Sequence, residues 1–209
     1  MKGLFVTFEG IEGAGKSTQA KELYNYLKEQ NPKVALTREP GGTDTGKKIR
    51  EILLTPTEEV FPSLAELFLY EADRVLHVEN KIKPLLEKGY IVISDRYIDS
   101  TLAYQGYARN IDKEVVKYLN KLATDNLTPD ITFLIDIPVE EGLKRIREER
   151  GFDRIEQEDI DFHKKLREGF LKIAQEEKNR VVVIDGLNSP QEISAKIIKI
   201  FESRFKEYL

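Results

Sequence analysis

The stretch Gly10-Ile11-Glu12-Gly13-Ala14-Gly15-Lys16-Ser17-Thr18 constrains this chain more than any other. It fits G-x-x-x-x-G-K-[ST], and it sits between an apolar run, Leu4–Phe8, and an amphipathic one, Lys16–Glu29, with Ala20, Leu23, Tyr24 and Leu27 at helical spacing. A strand, this loop and a helix in that order make a phosphate cradle. Glycines let the loop curl so that successive backbone N–H groups point inward, and the helix N-terminus adds positive potential. Gly10 to Thr18 are therefore read as a nucleoside-triphosphate site. Lys16 would reach the β- and γ-phosphates, and the Ser17 hydroxyl would ligate Mg²⁺.

Four further apolar runs resemble the first: Val34–Thr37, Ile91–Ser94, Ile131–Ile135 and Val181–Ile184. All are near-continuous and β-branched or aromatic, as expected for parallel strands covered on both faces. Between them, Ser63–Glu87 carries Leu64, Leu67, Phe68, Val75, Leu76, Val78, Ile82, Leu85 and Leu86 at helical spacing. Helical patterns also span Asp112–Thr124, Val139–Glu149, Glu156–Glu176 and Pro190–Tyr208. Alternation of this kind, with right-handed crossovers, predicts a three-layer α/β/α fold of the P-loop type, its five-stranded parallel sheet clad by helices on both faces. With no internal repeat and no low-complexity linker, residues 1–209 are expected to form one domain. The charged stretch Lys144–Glu158, joined through Gly151, is the candidate for a small lid; a solvated helix end is the alternative reading of the same residues.

Composition narrows the function. The 209 residues contain no Cys and two His, His77 and His163, which excludes a disulfide scaffold, a thiolate zinc site and a cysteine nucleophile. A net charge of −4 argues against nucleic acid as the partner. No run approaches the ~20 apolar residues of a membrane span, and Met1-Lys2-Gly3 leads too directly into Leu4-Phe5-Val6 for a signal peptide. A cytoplasmic enzyme is the expectation. The guanine-specificity element of GTPases is missing, because Asn120-Lys121 is followed by Leu122-Ala123. A small kinase needs instead an acceptor site beside the P-loop, built from arginines. Ligands of open α/β sheets sit outside the carboxyl ends of the strands. That rule places Arg38, Asp95 and Arg96 on the P-loop's side, with Arg74 on the long helix between them.

These segments together resemble the thymidylate kinase family, nucleoside-monophosphate kinases that make dTDP from dTMP and ATP. The resemblance runs through Phe8-Glu9-Gly10 and the P-loop, Thr37-Arg38-Glu39-Pro40-Gly41-Gly42-Thr43, Asp95-Arg96-Tyr97 with Ser100, Thr101 and Ala103-Tyr104-Gln105-Gly106, Pro129-Asp130 with Leu134-Ile135-Asp136, and Asp153-Arg154-Ile155-Glu156. It is closer to the bacterial form, with Gly13 inside the P-loop and arginines (Arg147, Arg150, Arg154) in the lid segment.

The resemblance implies roles. Arg38 and Arg96 would hold the dTMP phosphate, and Asp95 would be the Mg²⁺-associated carboxylate. Lys16, Asp95, Arg96, Arg147 and Arg150 make the expected catalytic set, with Arg147, Arg150 or Arg154 of the lid reaching the transferring phosphoryl group. Glu12 would face the acceptor's 3′-hydroxyl region, and Ser100 lies in the same acceptor segment. Tyr70 would stack on thymine, with a core aromatic as the alternative. Arg74 would donate to thymine O4, with an ion pair to Asp73 or Glu71 as the alternative. Thr101 would meet the N3 edge, Tyr104 would pack beneath C2′, and Gln105 would touch sugar or phosphate. ATP, dTMP, Mg²⁺ and a homodimer follow from the family. A kinase for another monophosphate or nucleoside, or a nucleotide switch without an acceptor, is the rival reading.

Overall fold

A computed structural model of the chain describes residues 3–149 and 152–209. Five strands, β1 (Leu4–Glu9), β2 (Val34–Arg38), β3 (Ile91–Asp95), β4 (Ile131–Asp136) and β5 (Val181–Asp185), form one parallel sheet in the order β2-β3-β1-β4-β5. The helices are α1 (Lys16–Gln30), α2 (Asp44–Leu54), α3 (Ser63–His77), α4 (Lys83–Glu87), α5 (Ile98–Thr101), α6 (Lys113–Thr124), α7 (Val139–Glu149), α8 (Ile160–Glu176) and α9 (Pro190–Arg204). The crossover from β1 to β2 runs one way along the sheet and every later one runs the other way. Right-handed connections then place α1 on one face and α3, α6 and α8 on the opposite one. Packing agrees: α9 returns to lie on α1, and α3 lies on α6.

The strands are buried because both faces are covered. Leu4, Val6 and Phe8 join Ala20, Leu23 and Leu27 of α1 in the larger core. Phe5 and Val92 turn the other way, onto Val78, Ile82 and Tyr97.

The structure departs from the sequence reading in a few elements. Every strand runs one residue further, to Glu9, Arg38, Asp95, Asp136 and Asp185. The stretch Ser63–Glu87 is helical throughout but widens to π-helical turns over Val78–Ile82. Pro84 has no N–H to offer and disturbs the i−4 ladder just there. Helix α8 begins only at Ile160, where the Asp159 carboxylate accepts from Phe162 N at 2.7 Å. Helix α9 stops at Arg204 and a short 3₁₀ turn follows. Helix α2 is absent from the sequence reading. Its apolar residues crowd into the second half, Ile49 and Ile52 to Leu54. Its start rests on Thr43, which accepts from Gly46 N at 3.0 Å.

Candidate active site

The P-loop joins the end of β1 to the start of α1. Gly10, Gly13 and Gly15 all take positive φ, which the curl requires. At Gly13 space adds a second requirement: a Cβ there would lie 2.3 Å from the Gly142 carbonyl oxygen, so α7 touches the loop backbone to backbone. Lys16 is buried and donates to Ile11 O at 2.7 Å. Burial, and then the positive charge of Arg96, push its ammonium down to about 8, against the pull of Asp95, Glu12 and Glu9. Ser17 donates its hydroxyl to Asp95 Oδ2 across the gap to β3, while Asp95 Oδ1 is buried with no hydrogen-bond partner.

A cleft of about 570 Å³ opens beside this loop. Five arginines among the described residues line it, and besides Arg74 and Arg145 they are Arg38 from the end of β2, Arg96 just past β3 and Arg50 from α2. Arg38 is exposed. Arg50 donates to Pro40 O at 3.1 Å and is held below the ordinary arginine value by burial and then by Arg38 and Arg96. Arg96 stands at φ 74°, a left-handed conformation unusual outside glycine. Its Nη1 donates to Gly10 O (3.1 Å) and Ser100 Oγ (3.0 Å), and one Nη2 proton goes to Glu12 Oε1 (3.1 Å). Nε–H and the other Nη2–H make no hydrogen bond to the described residues. Such clustered cations beside a phosphate cradle fit a second, anionic substrate.

The thymidylate kinase family model matches residues 8–197. The chain is 61% identical over 202 residues to a thymidylate kinase of Sulfurihydrogenibium sp. (strain YO3AOP1), covering 97% of this chain and 98% of that protein. It is 52% identical over 193 residues to one of Carboxydothermus hydrogenoformans, covering 92% and 94%. The crystal structure of thymidylate kinase from Ehrlichia chaffeensis superposes with a TM-score of 0.81 at 37% identity, covering 97% of this chain and 99% of that one. The chain belongs to the thymidylate kinase family. Its reaction is the ATP-dependent phosphorylation of dTMP to dTDP.

In this member of the thymidylate kinase family the cleft floor is made by α3, α5 and the π-helical turns Leu102–Ala108 that follow. Half-buried Tyr70 lines it, as do Arg74, Ser100, Thr101, Tyr104 and Gln105. Glu12 Oε1 accepts from Arg96 and from the Tyr104 hydroxyl, and its other oxygen is buried without a hydrogen bond, 3.9 Å from His163 Nδ1. Gln105 donates to Glu66 Oε1 at 2.8 Å.

Arg74 differs most from its expected part. It is only 2% exposed. Nε donates to Glu39 Oε2 (2.9 Å), Nη1 to Glu71 Oε2 (3.1 Å), Thr101 Oγ1 (2.7 Å) and Asn120 Oδ1 (2.8 Å), and Nη2 to Tyr97 O (3.1 Å), with Glu39 Oε2 2.8 Å away. Burial opposes its charge, but Glu39 and Glu71 more than reverse that, and the group stays firmly charged. Every guanidinium nitrogen is thus engaged by protein, Nη2 by Tyr97 O and the ion pair with Glu39. The ion-pair alternative thus describes its contacts, in the interior rather than at the surface. Arg74→Met should leave two buried carboxylates without their cation, costing about 3–5 kcal/mol and a Tm fall of roughly 6–20 °C. Calorimetry checks this, and a Tm within a few degrees of wild type would refute it.

The end of the cleft beside α7 and α9 is lined by Gln19, Arg145, Gly186, Asn188 and Pro190. Arg145 escaped the sequence reading. It pairs with Glu141 at 2.8 Å and extends to Gly13 O and Gly186 O at 3.4 Å. Arg147 is exposed, 5.8 Å from the Phe152 ring centroid, and is not among the cleft's lining residues. Arg150 lies outside the described residues. Arg154 is an anchor: it donates to Leu53 O and Glu66 Oε2, both at 2.7 Å, and covers the Phe61 ring at 4.3 Å. Arg50 was missed because α2 was, and its one signal is the Thr43 cap ahead of a basic helix. His163 gave no signal beyond being one of two histidines.

Proposed function

We propose the following division of labour for the dTMP kinase reaction; the convergence of Arg38, Arg50 and Arg96 beside the P-loop is the observation that carries it. Residues Gly10 to Thr18 hold the ATP phosphates, with Lys16 on the β- and γ-phosphates. Arg38, Arg50 and Arg96 hold the dTMP phosphate in line, Arg96 through its two open N–H groups. Phosphoryl transfer passes through a loose transition state, so positioning and charge neutralisation supply the catalysis. The attacking oxygen belongs to a phosphate already largely ionised at neutral pH, and no residue needs to act as general base.

Glu12 takes the sugar's 3′-hydroxyl on its open oxygen, Tyr104 fills the space beneath C2′, and Tyr70 stacks on thymine. The Thr101 hydroxyl, backed by Arg74, meets the N3–O4 edge of the base, so Arg74 acts one step removed. Gln105 and Ser100 brace the same wall. The stretch 144–158 is the lid, with Arg145 beside the nucleotide and Arg147 and Arg150 as its candidates for the transferring phosphoryl group. Lid closure excludes water, the competing acceptor.

Ser17 and the orphaned Asp95 Oδ1 are hard oxygen donors that would hold Mg²⁺. When bound, Mg²⁺ supplies further neutralisation of phosphate charge. Among the described residues no group of three His, Asp or Glu would hold a metal by itself.

Exposed Leu64, Phe68 and Val75 on α3, with Val115, Tyr118 and Leu122 on the neighbouring α6, support a homodimer through this face; a sedimentation mass of 24.1 kDa would remove it. The reading places the enzyme in the cytoplasm, with small molecules as its partners.

A coupled assay of ATP and Mg²⁺ with each monophosphate tests the assignment. Arg50→Ala should raise KM for dTMP about tenfold or more while KM for ATP moves little. Equal rises in both constants would take Arg50 out of the acceptor site.

A further inference from the structure

Each strand of the sheet ends in a charged residue, and among the five Glu9 is the one that is buried, at 1% exposure. It is not among the cleft's lining residues. Hiding a carboxyl group is costly unless donors meet it, and here three do. Glu9 Oε1 accepts from Tyr97 N (2.8 Å) and Ser100 N (3.3 Å), and Oε2 accepts from the Ser100 hydroxyl (2.6 Å). All three donors come from the turn that follows β3 and carries Arg96.

That turn is under strain. Arg96 holds its left-handed φ while its N–H donates to Phe8 O at 2.9 Å and its carbonyl accepts from Ser94 Oγ at 2.8 Å. These two bonds fix the near side of Arg96. Glu9 fixes the far side, through the next backbone amide and the first turn of α5. The Ser100 hydroxyl supplies a second route, because it accepts from Arg96 Nη1 while donating to Glu9. Backbone and guanidinium of Arg96 are thus both referred to one carboxyl group beneath them.

We propose that Glu9 is a positioning residue for the acceptor phosphate: by holding the amides of Tyr97 and Ser100 and the Ser100 hydroxyl, it aims the open edge of Arg96 at dTMP. This rests on Arg96 binding that phosphate. What Glu9 supplies is acceptor geometry, so an uncharged acceptor of the same shape should serve. Glu9→Leu keeps the bulk and removes the acceptors; Glu9→Gln keeps the Oε1 acceptor for both amides.

The experiment measures kcat and both KM values of the full-length enzyme and these variants. Glu9→Leu should raise KM for dTMP about tenfold or more with KM for ATP within about twofold, and Glu9→Gln should lie within about threefold of wild type on both. If Glu9→Leu does not fold, Glu9→Asp replaces it with the same expectation, since one methylene less withdraws the acceptors. An unchanged KM for dTMP, equal rises in both KM values, a failure of Glu9→Gln to rescue, or loss of the fold in both the Leu and Asp variants would each overturn the proposal. Arg96→Ala, assayed alongside, separates the two readings. If it leaves KM for dTMP unchanged, the assignment of Arg96 is wrong; if it raises KM while Glu9→Leu does not, only the role of Glu9 fails.

Discussion

Lys16→Ala is expected to lose about 10²–10³-fold in kcat, the effect of deleting one preorganised donor from a transition state's developing charge. The apo protein should unfold at or above the wild-type temperature. Lys16 is a buried cation whose folded-state pKa lies below its ordinary value, so its charged form is penalised at neutral pH and its removal relieves that penalty. Activity and stability should therefore move in opposite directions. Turnover by stopped assay and melting by calorimetry check the two halves. Near-normal kcat would end the phosphate-cradle reading, and a large fall in Tm would make Lys16 a structural residue.

Arg96→Ala should cost about 10²–10³-fold in kcat/KM for dTMP, because it removes a charge-assisted fork and leaves the Glu12 carboxylate without its cation. KM for ATP should change little. Arg96→Lys should recover almost none of the loss. One ammonium cannot reach Gly10 O, Ser100 Oγ, Glu12 and a phosphate at once, as a planar guanidinium does. Recovery by lysine would mean that charge alone is required at this position.

Much of this was legible in the chain. The loop from Gly10 to Thr18 and the five apolar runs specify the sheet and the phosphate cradle, because buried parallel strands and inward-pointing amides leave few compatible residues. Yet each apolar run stopped one residue short of its strand. The missing residues, Glu9, Arg38, Asp95, Asp136 and Asp185, are charged, and a pattern that follows apolarity ends where the chemistry begins. Helix α2 escaped because its apolar stripe is short, and Arg50 went with it. Arg74 shows a different limit. The sequence reading placed it on the long helix beside the P-loop's side of the sheet, but a helix does not say which acceptors are waiting. Glu39, Glu71, Thr101, Asn120 and Tyr97 come from four separate parts of the chain, and only the fold gathers them. Arg154 is similar, an arginine in a charged stretch that turns out to be held by Glu66 of α3.

The backbone contact between Gly13 and Gly142 gives α7 a fulcrum. The helix runs on for seven residues beyond Gly142, about 10 Å at 1.5 Å per residue. A tilt of ~10° about the contact would carry its far end by roughly 2 Å, with no side chain between Gly13 and Gly142 themselves to absorb the motion. Small rearrangements of the loop are thus delivered, enlarged, to the far end of α7. A methyl group at either glycine would act as a wedge at the pivot and reset the angle of the whole arm.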